Sequence, residues 1–322
     1  MLLYLSRRFF QTLFILFILS IVIYYMLGLM PGDPVELLIT ANPKIKAEDI
    51  ARLKKVYGLD KPIYVRYFKW LKQVVVEHDL GFSRTYKKPT VEIIEGRVKN
   101  TFFLMLGAFL MSILIAVPIG IYSAINHYSK LDFIISILAF IGISVPSFWL
   151  GLMLIAVFSE KLGFLPAGGI QTIGMDDIGD KLKYMILPIT SLSVQQIGSL
   201  VRYVRSSMLE VIQQDYLRTA RAKGLDEDTI LYKHALRNAL IPVITILALS
   251  LPGLVSGAVI TETIFAWPGM GRLLLDSVLS NDYYVAMLAL LFLAVLTMAS
   301  NFVADILYAI VDPRIRMGRN AK

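Results

Sequence analysis

Residues 101–125 read TFFLMLGAFLMSILIAVPIGIYSAI, a stretch with no charged side chain. An α-helix rises 1.5 Å per residue and needs about 20 apolar residues to cross roughly 30 Å of hydrocarbon. The stretch is therefore predicted to be a transmembrane helix. It contains Pro118, which membrane helices tolerate when neighbouring groups satisfy the freed carbonyl.

Five further apolar runs of comparable length occur along the chain. They occupy residues 9–30, 133–158, 186–209, 238–261 and 284–310. Hydrophobic residues make up 57% of the 322 and charged residues 17%, too little polar surface for a water-exposed globule of this size. The sequence predicts an all-α polytopic membrane protein with about six transmembrane helices. The first of these is predicted to stay uncleaved, because no small-x-small site follows Met30.

Orientation follows from the distribution of Lys and Arg. If the N-terminus lies in the cytoplasm, the cytoplasmic pieces carry fourteen basic residues and the short outer loops carry four. Basic residues accumulate in cytoplasmic loops, so both termini are predicted to be cytoplasmic. The same bias accounts for the net charge of +8. Nucleic-acid binding is not expected, since no basic stripe with interleaved aromatic residues is present.

These patterns divide the chain into four parts. The predicted parts are a first transmembrane helix (1–30), an extracytoplasmic insertion (31–100), a five-helix transmembrane core (101–311) containing a cytoplasmic loop (210–237), and a cytoplasmic tail (312–322). Helical periodicity at Ala47–Tyr57 and Ile63–Val76 makes the insertion a small helical one.

The most informative cytoplasmic segment reads DYLRTARAKGL, from Asp215 to Leu225. As a helix it places Tyr216 and Ala220 on one face and Arg218 with Arg221 on another. Gly224 suits a left-handed helix end, and Asp226 suits the cap of the next helix. The segment consists of Tyr216, Leu217, Arg218, Thr219, Ala220, Arg221, Ala222, Lys223, Gly224 and Leu225. Either it docks on a partner protein or it lies as a basic amphipathic helix on anionic lipid.

This segment resembles the cytoplasmic loop of membrane subunits of bacterial ABC importers, whose pattern is EAA-x3-G-x9-I-x-LP. Gly224 matches the glycine of that pattern and Leu236 its late leucine. Arg218-Thr219-Ala220 stands in place of the EAA triplet, whereas His234 and Arg237 replace the expected Ile and Pro.

The departures are similar to the dipeptide/oligopeptide/nickel permease branch of that family. Matching strings extend along nearly the whole chain. They are Pro31-Gly32-Asp33-Pro34, Gly58-Leu59-Asp60-Lys61-Pro62, Asp79-Leu80-Gly81-Phe82-Ser83, Pro146-Ser147-Phe148-Trp149, the 215–242 segment, Glu262 to Gly271 (ETIFAWPGMG) and Asp312-Pro313-Arg314. The long insertion after the first helix makes the chain resemble the B-type subunit.

The resemblance implies the type I ABC importer fold and a set of partners. These would be a second homologous permease, two cytoplasmic ABC ATPases and an extracytoplasmic solute-binding protein, in a bacterial or archaeal cell (inner) membrane. ATP and Mg would be held by the ATPases. The chain itself has no G-x-x-x-x-G-K-[ST] phosphate loop, so it is expected to be a transport subunit without cofactor or enzymatic activity. The expected cargo is a di- or oligopeptide.

Candidate pathway or gate residues lie in the last two apolar runs and the loop between them. They are Ser250, Gly253, Ser256, Gly257, Trp267, Asn301 and Asp305. Gly253 and Gly257 form a G-x-x-x-G, which indicates close helix packing or a roomy pathway wall. Asp305, inside a membrane run, serves either a functional role or a structural ion pair.

Other functions have less support in the sequence. The same machine could import a nickel chelate, glutathione or another small solute. An autonomous channel or ion-coupled carrier would need filter-like carbonyl loops or paired charges at the bilayer midplane, which the sequence does not suggest. A membrane enzyme is disfavoured because the three histidines are scattered and no cysteine is present. For the same reason no metal site is expected in this chain.

Overall fold

The computed structural model describes residues 2–29, 52 and 60–311, and within them it leaves the side chains of residues 2–5, 256, 305 and 307–311 undescribed. Residues 1, 30–51, 53–59 and the tail from 312 lie outside this description, and so does the predicted helix at Ala47–Tyr57 apart from Arg52. We number the α-helices in chain order. They are α1 (Leu2–Gly28), α2 (Ile63–Val75), α3 (Thr90–Ile125), α4 (Lys130–Ser144), α5 (Ser147–Leu154), α6 (Ile178–Ile212), α7 (Asp215–Ala222), α8 (Leu236–Ser250), α9 (Gly253–Ser256), α10 (Val259–Ile264), α11 (Met270–Leu279) and α12 (Tyr283–Val311).

Two π-helical segments extend this set, Ile155–Lys161 after α5 and Thr229–Ala235 before α8. Within the described ranges the only β-type pairing is the isolated bridge between Phe82 and Pro89. Among the residues that the structure describes, five helices are long and apolar enough to cross a membrane, or six if the bent pair formed by α4 and α5 counts as one span. The predicted all-α polytopic fold is therefore confirmed, as is the predicted helix at 63–76.

The predicted single helix at 133–158 is wrong in one respect. It is broken into α4 and α5, whose axes differ by 99°. Pro146 lacks the N–H that would continue the helix, and a residue before proline is pushed toward extended backbone. Val145 accordingly has φ −78° and ψ 121°. The apolar run is therefore sharply bent and not a straight helix.

The predicted helix at 238–261 also ends early. The helix that includes α8 is continuous only to Ser250 and is followed by a turn at Leu251-Pro252, the short α9 and a left-handed residue, Gly257, with φ +77°. A G-x-x-x-G packing face needs both glycines on one continuous helix, so Gly253 and Gly257 do not form one. A Cβ atom on Gly253 would meet no atom within 4 Å.

The core of the bundle lies where α3, α4, α6 and α8 meet. Small and branched side chains interlock there, including Ala116, Ala139, Val204 and Ala239. Gly120 and Gly198 let α6 approach its neighbours, because a Cβ atom on either glycine would overlap atoms of the facing helix. Close approach through small residues is the usual way in which helices associate in lipid. This core positions the two ends of α6, and therefore the segment that follows it.

Candidate functional site

The segment after α6 forms a compact unit, which we call the docking segment (Asp215–Asn238). Helix α7 follows α6 after a two-residue turn and ends at Ala222, with Lys223 as its C-cap. Gly224 then takes φ +79°, which confirms the predicted left-handed helix end. The Asp226 carboxylate accepts a hydrogen bond of 2.8 Å from the Thr229 backbone N–H, so it caps the π-helical segment that follows.

One side chain fastens α7 to the rest of the protein. Leu217 is fully buried against Ile230 and Ala235, with Val211 and Ala220 packed around them. Burying a leucine side chain is worth roughly 1.5–3 kcal/mol. The helix is therefore held to the end of α6 and to the π-helical segment by an apolar contact on one face.

The opposite face of α7 is open to solvent. Tyr216 is 43% exposed, and its hydroxyl accepts a hydrogen bond of 3.0 Å from Asn238 Nδ2 at the far end of the segment. Arg218, Thr219 and Lys223 are also exposed. The predicted pairing of Tyr216 and Ala220 on one face is only partial, since Ala220 turns toward the Leu217 contact.

Polar contacts within the docking segment are local and exposed. The Arg221 guanidinium donates to the Glu227 carboxylate at 2.7 Å across the Gly224 turn, and this contact raises the pKa of Arg221. The hydrogen bond from the Thr229 backbone N–H lowers the pKa of Asp226. Over the whole docking segment five basic residues stand against four acidic ones, so its net charge is only +1 and its attraction to anionic lipid is small.

A cavity of about 470 Å³ lies between α3, α6, α8 and α9. Two of the predicted pathway residues, Ser250 and Gly253, line it. Polar side chains that were not predicted from the sequence also face it, namely Ser112, Gln195, Gln196, Ser199 and Tyr203, and none of the fourteen lining residues is charged.

The sequence held a signal for this polar wall. Gln195, Ser199 and Tyr203 are spaced four residues apart, so they share one face of α6 inside an apolar run. Polar residues within membrane helices usually face the protein interior or a cavity. The spacing could have identified the wall without a structure.

The remaining predicted pathway residues do not gather at this cavity. Trp267 is buried, and its indole N–H donates 3.1 Å to the Asn100 carbonyl. Gly257 approaches the backbone of Gly271, and Asn301 is exposed on α12. The side chains of Ser256 and Asp305 lie outside the described ones.

A cluster of buried polar groups, which we call the Glu262 cluster, lies at the end of α10. It comprises the Glu262 carboxylate, the Thr101 hydroxyl and the backbone N–H groups of Met270 and Arg272. Thr101 donates 2.8 Å to one carboxylate oxygen and accepts 2.8 Å from Met270 N–H, while Arg272 N–H donates 2.9 Å to the other oxygen. Glu262 is fully buried.

Glycine makes room for this cluster. A Cβ atom on Gly269 would overlap the Glu262 carboxylate, and one on Gly271 would overlap the Val259 backbone. Because Met270 and Arg272 open α11, the carboxylate acts as a remote N-cap for a helix that lacks one of its own. The hairpin from α10 to α11 is thereby attached to α3.

A second buried charge lies near the opposite end of α3. Asp132 accepts two hydrogen bonds from Arg205, at 2.7 and 2.8 Å, one from the Ser123 hydroxyl and one of 3.0 Å from Tyr128 N–H. This arrangement ties the start of α4 and the end of α3 to α6, shortly before the docking segment begins.

The described fold and site define a class. This is a multi-pass membrane protein whose bundle holds a polar, uncharged cavity and, next to the core, a short helix exposed on one face. The chain belongs to the binding-protein-dependent transport system inner membrane component family, which matches residues 116–317, and its N-terminal part matches the corresponding N-terminal family over residues 1–94.

Two named relatives match this chain over nearly its full length. The oligopeptide transport system permease protein AppB of Bacillus subtilis (strain 168) is 44% identical over 97% of this chain and 98% of its own length. The dipeptide transport system permease protein DppB of Alkalihalophilus pseudofirmus is 36% identical over 98% of this chain and 100% of its own length. The resemblance inferred from the sequence motifs is confirmed.

A solved structure shares the fold. A chain of the MetNI methionine ABC transporter, in an inward-facing conformation, superposes with a TM-score of 0.57 at 19% identity, over 70% of this chain and 98% of that one. The predicted type I ABC importer fold is confirmed by this likeness.

Proposed function

We propose that this chain is half of the translocation pathway of an ABC importer for di- or oligopeptides, and that it is coupled to a separate ATPase through residues 215–225. The observation that carries the proposal is the docking segment. Its helix α7 is exposed to solvent on one face and is attached to the bundle on the other face by the buried Leu217. It follows directly after the long helix α6, which also lines the polar cavity. A force applied to α7 therefore reaches α6 and the cavity wall through packed side chains.

The charge balance of the docking segment favours a protein partner over a lipid surface. Four acidic residues offset all but one of its five basic residues, and Arg221 is already paired with Glu227. The other expected partners follow from the family: a second permease, two ATPases that hold ATP and Mg, and a solute-binding protein. In this arrangement both termini and the docking segment are cytoplasmic, in agreement with the distribution of Lys and Arg, and the chain itself catalyses no reaction.

Peptide cargo is supported by the names of the relatives and by the cavity. Amide and hydroxyl side chains such as Gln195, Ser199 and Tyr203 can exchange hydrogen bonds with a peptide backbone without selecting a charge. A nickel chelate, glutathione or another small solute is the alternative cargo for the same machine. Uptake assays with labelled dipeptides, glutathione and nickel decide among them.

The coupling role is tested by substituting Gly224→Trp. A Cβ atom at this position would meet no atom of the chain within 4 Å, so the indole is expected to project into the space that a docked partner needs. The protein is expected to insert into the membrane normally, while transport and cargo-stimulated ATP hydrolysis are lost. Uptake and ATPase activity are measured with the complete transporter in proteoliposomes.

The chain provides a matched control. Gly174 has φ +85°, close to the +79° of Gly224, and a Cβ atom there would also meet no atom within 4 Å. Gly174→Trp therefore imposes the same backbone strain away from the docking segment and should leave transport intact. Normal uptake by the Gly224→Trp protein would refute the docking role, and equal loss in both proteins would attribute the defect to strain.

A further inference from the structure

A groove of about 550 Å³ separates the pair α1–α2 from α3. Its floor is α12, through Leu288, Leu291, Phe292 and Val295, which are spaced three and four residues apart and so share one helix face. The groove is distinct from the polar cavity, with which it shares no lining residue.

The groove exists because two apolar clusters pack on α12 independently. Tyr67 and Trp70 of α2 join α1 to α12 around Met287, whereas Ile94 of α3 joins α11 to α12 around Leu288. The first turns of α3 and the middle of α1 are left facing each other across open space. Their side chains are apolar and partly exposed, as with Phe17 and Val91.

The lining is almost wholly apolar. Of the sixteen residues that form it, thirteen are apolar, and Ser20 already bonds the Phe17 carbonyl and the Tyr67 hydroxyl. The two charged residues are Glu95 and Lys99, one turn apart on α3 and bonded to each other at 2.7 Å. Each side chain is 65% exposed, so the pair lies at the rim.

We propose that this groove binds an acyl chain of a zwitterionic phospholipid, with the headgroup at Glu95 and Lys99. No glycine or alanine is among the lining residues. Helices that pack together in a membrane usually meet through such small residues, so a helix of another protein fits this surface poorly, whereas an acyl chain fits large branched side chains. The opposite charges at the rim match the phosphate and the ammonium of phosphatidylethanolamine, which a carboxylate and an ammonium side chain can each bind.

The first test counts retained lipid. The transporter, purified with its accompanying subunits from a membrane of phosphatidylethanolamine and phosphatidylglycerol, is examined by native mass spectrometry. Val91→Trp fills the groove, and Leu110→Trp is the control, because both residues are on α3 and 48% exposed but only Val91 lines the groove. The wild type and the control should retain a phosphatidylethanolamine that Val91→Trp loses. Equal retention by all three would overturn the proposal.

The second test does not depend on a bulky substitution. Because the chain has no cysteine, Val295→Cys on the groove floor can carry a single bimane label, with Leu110→Cys as control. Brominated phosphatidylethanolamine should quench the Val295 label more than brominated phosphatidylglycerol does, and Glu95→Lys should reverse this preference. Equal quenching by both lipids, or cross-linking of position 295 to a second permease, would overturn the proposal.

Discussion

The docking segment and the Glu262 cluster each attach a short helix to the rest of the bundle, the first through an apolar contact and the second through a buried polar one. Each fixes a short helix next to a glycine of positive φ, Gly224 in one case and Gly257 in the other. In the docking segment the charged side chains lie in solvent and one leucine provides the attachment. In the Glu262 cluster a buried carboxylate provides it, and every described oxygen of that carboxylate accepts a hydrogen bond.

This difference separates a surface whose polar contacts can be exchanged from a joint whose polar contacts are buried and fixed. Exposed ion pairs contribute about 0–1 kcal/mol, whereas a buried charged group that loses its partners costs several times more. The docking segment can therefore change its polar contacts at little cost, as the proposed docking requires. If the α10–α11 hairpin separated from α3, the Glu262 carboxylate would become exposed or would lose its hydrogen bond from Thr101.

The largest effect is expected for Glu262→Ala. The substitution leaves the Thr101 hydroxyl and the Arg272 N–H buried without their acceptor, which should destabilise the protein by about 2–6 kcal/mol. The loss is measured as a lowered midpoint of thermal unfolding in detergent. Glu160→Ala, at an exposed glutamate, serves as control. If the two variants unfold at the same temperature, the Glu262 cluster does not hold the hairpin.

Leu217→Ala should weaken the docking segment by about 2–4 kcal/mol, because it removes buried methyl groups beside Ile230 and Ala235. Hydrogen–deuterium exchange over residues 215–225 should accelerate while exchange in α3 stays unchanged. Leu225→Ala, at a residue that is 42% exposed, is the control and should change little. Protection that persists in the Leu217 variant would show that polar contacts attach the helix after all.

The Arg221–Glu227 pair is expected to contribute only about 0–1 kcal/mol. A double-mutant cycle with Arg221→Ala and Glu227→Ala measures this coupling through the same exchange protection. A coupling energy well above that range would mean that the docking segment depends on its ion pair. The contrast between the two regions would then fail.

The smallest effect concerns pH. Because the Thr229 N–H lowers the pKa of Asp226, the ionised carboxylate stabilises the turn above the pKa of the unfolded chain, about 3.9. That contribution disappears as the pH falls through the lower pKa of the folded state. Carbon-13 NMR of labelled aspartate should give Asp226 a pKa below its usual value. A value at or above the usual one would contradict the cap, and Asp226→Asn identifies the resonance.

Periodicity and apolar length predicted the transmembrane helices, because the formation of such helices depends only on local sequence. The left-handed end at Gly224 was predictable for the same reason. The bend at Pro146 was not, since proline in a membrane run permits either a kinked span or a reversal, and distant packing decides between them. The contacts of Glu262 could not be predicted from the sequence either. They join α10 to Thr101, 161 residues away, and no periodic pattern signals such a pairing.

The docking helix itself was found by its motif, while its attachment through Leu217 was missed. Helical periodicity indicates which residues of α7 share a face, but it does not show which face is buried. The burial of Leu217 depends on Ile230 and Ala235, which follow the turn. The polar wall of the cavity was missed although its four-residue spacing on α6 is visible in the sequence.

Helix α3 carries a buried polar anchor near each end of its apolar stretch. Thr101 belongs to the Glu262 cluster and Ser123 bonds Asp132, and these two residues are 22 positions apart. At 1.5 Å per residue the anchors are about 33 Å apart, close to the hydrocarbon thickness of a typical bilayer. Moving either anchor into lipid would leave a charged group without its hydrogen-bond partners. The distance between the two anchors therefore fixes the hydrocarbon thickness that α3 matches. A thinner or thicker bilayer must adjust to the protein, and the protein should be most stable in lipids whose chains match this length.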